Sequence, residues 1–199
     1  MLELRAGIVQ DAPRLVPLIL ASAPTLLPFL FLSRANAQAY LQLACAQDDG
    51  QYSATRHHVA CNGKDVIGCM SLWHSNMPDV FRDATIRSLR AYLSPSQIAH
   101  VLKVNHALVS TFPAPLDDEI CIGHFSVSPH WQGQQVGSQL MAYAIEIANV
   151  RDKAYLVLDV AEQNHRAIRF YQQWEFAVVH KSETPINDQH FLRMRKALG

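Results

Sequence analysis

A chain of 199 residues that carries 17 Lys+Arg against 17 Asp+Glu and is 49% apolar has the makeup of one globular domain, residues 1–199, and not of a disordered segment. Balanced charge removes the electrostatic footprint of a general nucleic-acid binder, so no such partner is expected. The 4 cysteines, Cys45, Cys61, Cys69 and Cys121, form no C-x-x-C pair and read as reduced thiols of a cytoplasmic protein.

Leu2 to Arg5 alternates as a short strand. Asp11-Ala12-Pro13 then reads as a helix start, with Asp11 the cap and Pro13 tolerated in the first turn. The stretch Leu15 to Leu32 is apolar enough for a membrane span to be weighed. Pro17, Pro24 and Pro28 interrupt it, and the acidic Glu3 and Asp11 stand where a signal peptide prefers positive charge. Two helices joined around Ala23-Pro24 and packed on a sheet are expected instead, with no membrane partner. Asn36 to Ala46 continues as a helix. Ser53 to Cys61 and Val66 to Trp73 flank Asn62-Gly63, a strong hairpin signal. Residues 74–118 predict two more helices. The first runs over Asp79 to Leu93. The second starts at Ser94-Pro95 and carries Ile98, Val101, Leu102, Leu108 and Val109 at helical spacing. This segment reads as a lid over a site, as extra core, or as a homodimer face.

From Ile120 to Phe176 the chain reads strand, polar loop, helix, strand, short helix. Ile120 to Val127 is β-rich, and Ser128-Pro129 ends it. A loop rich in glycine and glutamine leads into an amphipathic helix whose apolar face is Val136, Leu140, Met141, Ala144, Ile145 and Ala148. Tyr155 to Val160 suits a buried parallel strand. A loop that feeds a helix N-terminus presents unpaired N–H groups and the positive end of the helix dipole, which favours a phosphate or diphosphate. Phe176 to Lys181 and Gln189 to Lys196 close the chain as a hairpin.

Two motifs carry a resemblance. Gln132-Gly133-Gln134-Gln135-Val136-Gly137 resembles the [Q/R]-x-x-G-x-[G/A] acyl-CoA motif of the GNAT superfamily of N-acetyltransferases, and Asn164 to Phe176 resembles its N-x-x-A-I-x-F-Y-x-x-x-G-F segment. The ordered pair is far more specific than either motif alone. The resemblance implies an α/β (α+β) fold with a mixed, mostly antiparallel sheet of about seven strands flanked by helices, and residues 74–118 as a helical insertion before the central CoA-binding strand. It implies an acyltransferase that moves an acetyl group from acetyl-CoA, as co-substrate, to a primary amine of a small molecule or peptide by direct attack. Gln132, Gly133, Gln134, Gln135, Val136, Gly137 and Ser138 would hold the diphosphate, and Phe125, Ser126 and Val127 would pair through their backbone with pantetheine. Asn164 would touch the cofactor, and Tyr171 would protonate the leaving thiolate.

Two departures stand out. Gln135 and Glu175 occupy positions where the family has glycine. A side chain at Gln135 crowds the approach to a diphosphate, and the residue is strained if the loop demands positive φ. His124 titrates near neutral pH and is the candidate base; Glu119 and water are alternatives, and strict alternation puts His124 and Glu119 on opposite faces unless a bulge intervenes. The 10 histidines lack metal-ligand spacing, and His57-His58 on a strand would point to opposite faces, so no metal is expected. A non-catalytic CoA-binding or protein-interaction module on the same fold is the alternative function.

Overall fold

The computed structural model describes residues 2–199. Seven strands form one sheet: β1 (Leu2–Ala6), β2 (His57–Asn62), β3 (Asp65–Trp73), β4 (Glu119–Val127), β5 (Tyr155–Ala161), β6 (Ala177–Lys181) and β7 (Phe191–Ala197), in the order β1-β2-β3-β4-β5-β7-β6. Every neighbouring pair is antiparallel except β4 and β5, which run parallel. The expected mixed sheet of the GNAT type is therefore present.

Helices α1 (Ala12–Ser22), α2 (Leu26–Leu30), α3 (Arg34–Cys45), α4 (Asp79–Tyr92) and α5 (Pro95–Thr111) lie on one face; α6 (Val136–Val150) and α7 (His165–Gln173) lie on the other. Alternation along the strands divides the core accordingly. Val59 and Cys69 join Leu15, Ile19, Tyr40 and Leu41 beneath the first layer. Ile120, Ile122, Leu156 and Leu158 join Leu140 and Met141 beneath the second. No helix among the described residues is long and apolar enough to cross a membrane. The apolar run after Asp11 is instead spent on α1 and α2, and α1 continues through Pro17.

Three local expectations meet different outcomes. The Asn62-Gly63 turn joins β2 to β3, with Gly63 at φ 59° where a side chain would be strained. The strand expected from Ser53 begins only at His57. The Ser53 hydroxyl accepts the Thr55 N–H and donates to the Gln47 carbonyl, which winds residues 54–56 into a 3-10 turn. Asp11 stands at the start of α1 but does not cap it with its side chain. Its carboxylate accepts the Ile8 N–H and pairs with Arg5 at 2.7 Å.

Helix α5 begins with a capping box: the Ser94 hydroxyl accepts the Gln97 N–H and the Gln97 amide oxygen accepts the Ser94 N–H. Ser94→Ala should cost about 1 kcal/mol and lower the melting temperature by about 2–4 °C. Thermal unfolding followed by circular dichroism checks this, and an unchanged midpoint would contradict it.

Candidate active site

Strand β4 pairs with β5 only over Glu119–Ile122. Beyond Ile122 the two strands part, and the remainder of β4 follows β3 alone. Its register against β3 slips there: Ser71 faces Gly123 while Cys69 faces Ser126, so His124 and Phe125 together oppose Met70. This is a β-bulge, and His124 takes φ 47° within it. Gly123 makes room for the bend, since a Cβ there would lie 2.5 Å from Trp73 Nε1. The bulge frees His124 from the face that simple alternation assigns to it.

Past the bulge, the loop of residues 128–135 leads into α6. Among the described residues, the backbone N–H groups of Gly133, Gln134, Gln135, Val136, Gly137 and Ser138 donate no hydrogen bond within the protein; the next amide, that of Gln139, bonds to the Gln135 carbonyl. The loop keeps its shape through other bonds. Gln132 donates its side-chain amide to the Val127 carbonyl, and Gln134 donates its own to the His130 carbonyl. Gly133 sits at φ 80°, and Gln135 sits at φ 63° as the residue that opens the helix. Gln135 thus adopts the left-handed conformation that a glycine would take without strain. Glu175, the second departure, does the same at φ 64°.

A groove of ≈ 470 Å³ lies over these amides, lined by Phe125, Ser126, Val127, Gln132, Gly133, Gln135, Gly137, Ser138, Asn164 and Tyr171. Sequence reasoning had named all of these. It also named Val136 and Gln134, whose side chains lie elsewhere: Val136 is buried under α6, and Gln134 is tied to the loop. Trp131, Arg166 and Phe170 line the groove as well and were missed, although Arg166 and Phe170 fall within the second motif. Asn164 caps α7, its Oδ1 accepting the Ala167 N–H at 3.2 Å, which leaves its NH₂ for the groove.

The groove ends at Tyr171, which also lines a second cavity of ≈ 550 Å³ together with His124, Phe125 and Asp159. A third cavity of ≈ 560 Å³, between α2, α4, α5 and the sheet, shares His124 and Asp159 with the second. Tyr171 and His124 therefore line a common chamber. Burial raises the Tyr171 phenol well above its usual range, so it keeps its proton at neutral pH. The His124 imidazole is pushed well below 6.5 by burial and by the neighbouring His57, so it stays neutral. A retained proton and a vacant nitrogen are the states that an acid and a base require.

His57 fixes which nitrogen of His124 is vacant. His57 Nδ1 lies 2.8 Å from the Ser53 carbonyl, which can only accept. His57 Nδ1 therefore carries the hydrogen, and its Nε2 accepts from His124 Nδ1 at 2.9 Å. The His124 lone pair is left on Nε2. The His57 and His124 ring centroids lie 5.1 Å apart with an interplanar angle of 13°, and Tyr52 stacks on His124 at 5.4 Å. His58 lies against Tyr143 of α6, on the opposite face of the sheet from His57, as alternation requires. Glu119 is buried, its Oε2 accepting the Leu116 N–H, and it lines none of the three cavities. No group of three or more His, Cys, Asp or Glu residues that could hold a metal ion occurs among the described residues.

A splayed parallel strand pair, a bulged β4 and a helix N-terminus rich in free amides thus meet at one groove. Residues 29–176 match the Acetyltransferase (GNAT) family, and the chain belongs to that family. No curated protein matches it. Among solved structures, an N-acetyltransferase from Staphylococcus aureus superposes with a TM-score of 0.72 at 13% identity, covering 98% of this chain and 100% of that one. A structure described simply as an acetyltransferase gives 0.64 at 20% identity, covering 99% and 100%. An IAA acetyltransferase from Bacillus cereus gives 0.56 at 16% identity, covering 100% of both chains.

Two outcomes follow from this geometry. Gln135→Gly relieves a left-handed side-chain residue and should stabilise the chain by about 1 kcal/mol. It should also tighten CoA binding by clearing the groove; a weaker complex by isothermal titration would contradict this. The second outcome concerns His57, which titrates near 6.5 in the unfolded chain but is pushed down to about 4 in the fold, chiefly by burial. The unfolded chain binds the extra proton between those values. The His57 contribution is therefore intact above about pH 6.5 and is lost as pH falls toward 4. Asp159, raised to about 6, works in the opposite direction, so the comparison must be made against His57→Gln. From pH 7 to pH 5 the wild type should lose about 2 kcal/mol relative to that variant. Urea unfolding at the two pH values measures the difference, and a constant gap would contradict it.

Proposed function

We propose that the protein transfers an acetyl group from acetyl-CoA to a primary amine by direct attack, with Tyr171 as general acid and His124 as general base. The family supplies the acetyl-transfer class. The single observation that supports acetyl-CoA itself is the run of unpaired amides from Gly133 to Ser138, which faces a groove that ends at Tyr171. Unpaired N–H groups at the start of a helix suit a diphosphate, and the parted strands leave the backbone of Phe125, Ser126 and Val127 free to pair with pantetheine amides.

In this reading the amine nitrogen forms a bond to the thioester carbon, and the carbon–sulfur bond breaks. His124 accepts at Nε2 the proton that the nitrogen must lose, and the ring stays oriented by His57. Tyr171 donates its phenolic proton to the departing thiolate. A backbone N–H of the β4 bulge would polarise the carbonyl oxygen. Proton transfer from such a positioned group is worth about 10²–10⁴ in rate.

Tyr171→Phe removes only the hydroxyl of a residue that lines both the groove and the second cavity. It should leave acetyl-CoA affinity unchanged while kcat falls by about 10²-fold or more. Isothermal titration and mass-spectrometric detection of the acetylated amine measure the two quantities. Absence of acetyl-CoA binding at millimolar concentration would overturn the transferase reading. Unimpaired turnover in the variant would overturn the role of Tyr171.

A further inference from the structure

Strand β5 is apolar except at Asp159, whose side chain points to the face opposite Leu158 and Val160. There it lies between two cavities and contributes to the walls of both. Its neighbours on that face are Arg193 on β7, with Nη1 3.9 Å from Asp159 Oδ2, and Glu119 and Cys121 on β4. Arg193 donates from Nη1 to the Pro113 carbonyl and lies 4.0 Å from Glu119, and its Nη2 has no hydrogen-bond partner among the described residues. Asp159 Oδ1 is buried and has no hydrogen-bond partner among the described residues. Such an atom costs about 1–3 kcal/mol unless something supplies a donor.

The chamber beyond it is apolar. Leu26, Leu30, Ile86, Val101, Leu102 and Phe112 form its walls, contributed largely by α2, α4 and α5. Arg82 is the other fully charged residue on its lining. It is mostly exposed and lies near Asp79 and Asp83, so it marks the rim. A site with one inner carboxylate and apolar walls suits a ligand with one cationic end and an apolar body. A polyamine would bring further ammonium groups against Leu and Val side chains, and a burial of that kind is costly without partners.

We propose that the acceptor is an apolar primary amine, of the arylalkyl or medium-chain alkyl class, held by its ammonium at Asp159 with its body in the chamber between α2, α4 and α5; the Asp159 carboxylate takes the first ammonium proton, and the free amine then attacks and gives its second proton to His124. The proposal rests on the transferase reading above and narrows its acceptor. Burial raises Asp159 to about 6, with Arg193 opposing and Glu119 adding, so the carboxylate form is present at pH 7 to meet the ammonium. The place of Asp159 between Tyr171 and His124 on one side and the chamber on the other keeps the amine end near the groove.

The test is calorimetric titration of the full chain with 2-phenylethylamine, 2-phenylethanol and spermidine, with acetyl-CoA titrated separately. The amine should bind about tenfold more tightly than either the alcohol or spermidine. Asp159→Asn should weaken amine binding about tenfold or more while acetyl-CoA affinity is unchanged. Leu102→Arg changes a residue that is 60% exposed and should fold, and the cation it adds to the chamber wall should weaken the amine similarly. Equal or tighter binding of spermidine, no amine binding at millimolar concentration, or no effect of either substitution would overturn the proposal. Failure of acetyl-CoA to bind, read in its own titration, would overturn the transferase reading and with it the acceptor role of any amine bound.

Discussion

The site depends on one feature of the sheet: β4 and β5 pair in parallel over Glu119–Ile122 and then separate. Two buried strands that part must leave backbone groups to be satisfied by something other than each other. The bulge at His124 and Phe125 turns β4 toward β3 and widens the gap. Helices α6 and α7 follow on the opposite face from α1 to α5, and the cavity lined by Tyr171, His124 and Asp159 shares lining residues with both the groove and the chamber. The groove over the α6 amides opens on one layer, and the apolar chamber under α5 opens on the other. Tyr171 stands at the junction.

Electrostatics in this cavity come from burial more than from paired charge. The phenol of Tyr171 and the imidazole of His124 are both held neutral by desolvation, and His57 adds its proximity to the effect on His124. The relay from the Ser53 carbonyl through His57 to His124 orients the His124 ring without a carboxylate. Asp159 lines the chamber that His124 also lines.

Much of this was legible in the residues. Asn62-Gly63, Ser94-Pro95 and the apolar face of α6 declare their elements, because each depends on local chemistry that the sequence states outright. Most groove residues were legible through the family resemblance that the two motifs carry. The bulge was expected only as the condition that would bring His124 and Glu119 to one face, since a period of two assigns His124 to a face that a single extra residue changes. The role of His57 was hidden, since its partner lies on β4, two strands away in the sheet. Asp159 did leave a signal, a lone charge in an apolar parallel strand. The glycine positions show how a motif can change while the backbone does not. Gln135 and Glu175 both keep positive φ, so the loop shapes survive the loss of the residue that makes them easiest.

The most direct measurement is nitrogen-15 amide spectroscopy of the labelled chain during titration with acetyl-CoA. The account predicts that the amides of Gly133 to Ser138 shift most, as their free N–H groups acquire diphosphate oxygens as acceptors. Shifts that bypass this turn and gather elsewhere on the protein would contradict it.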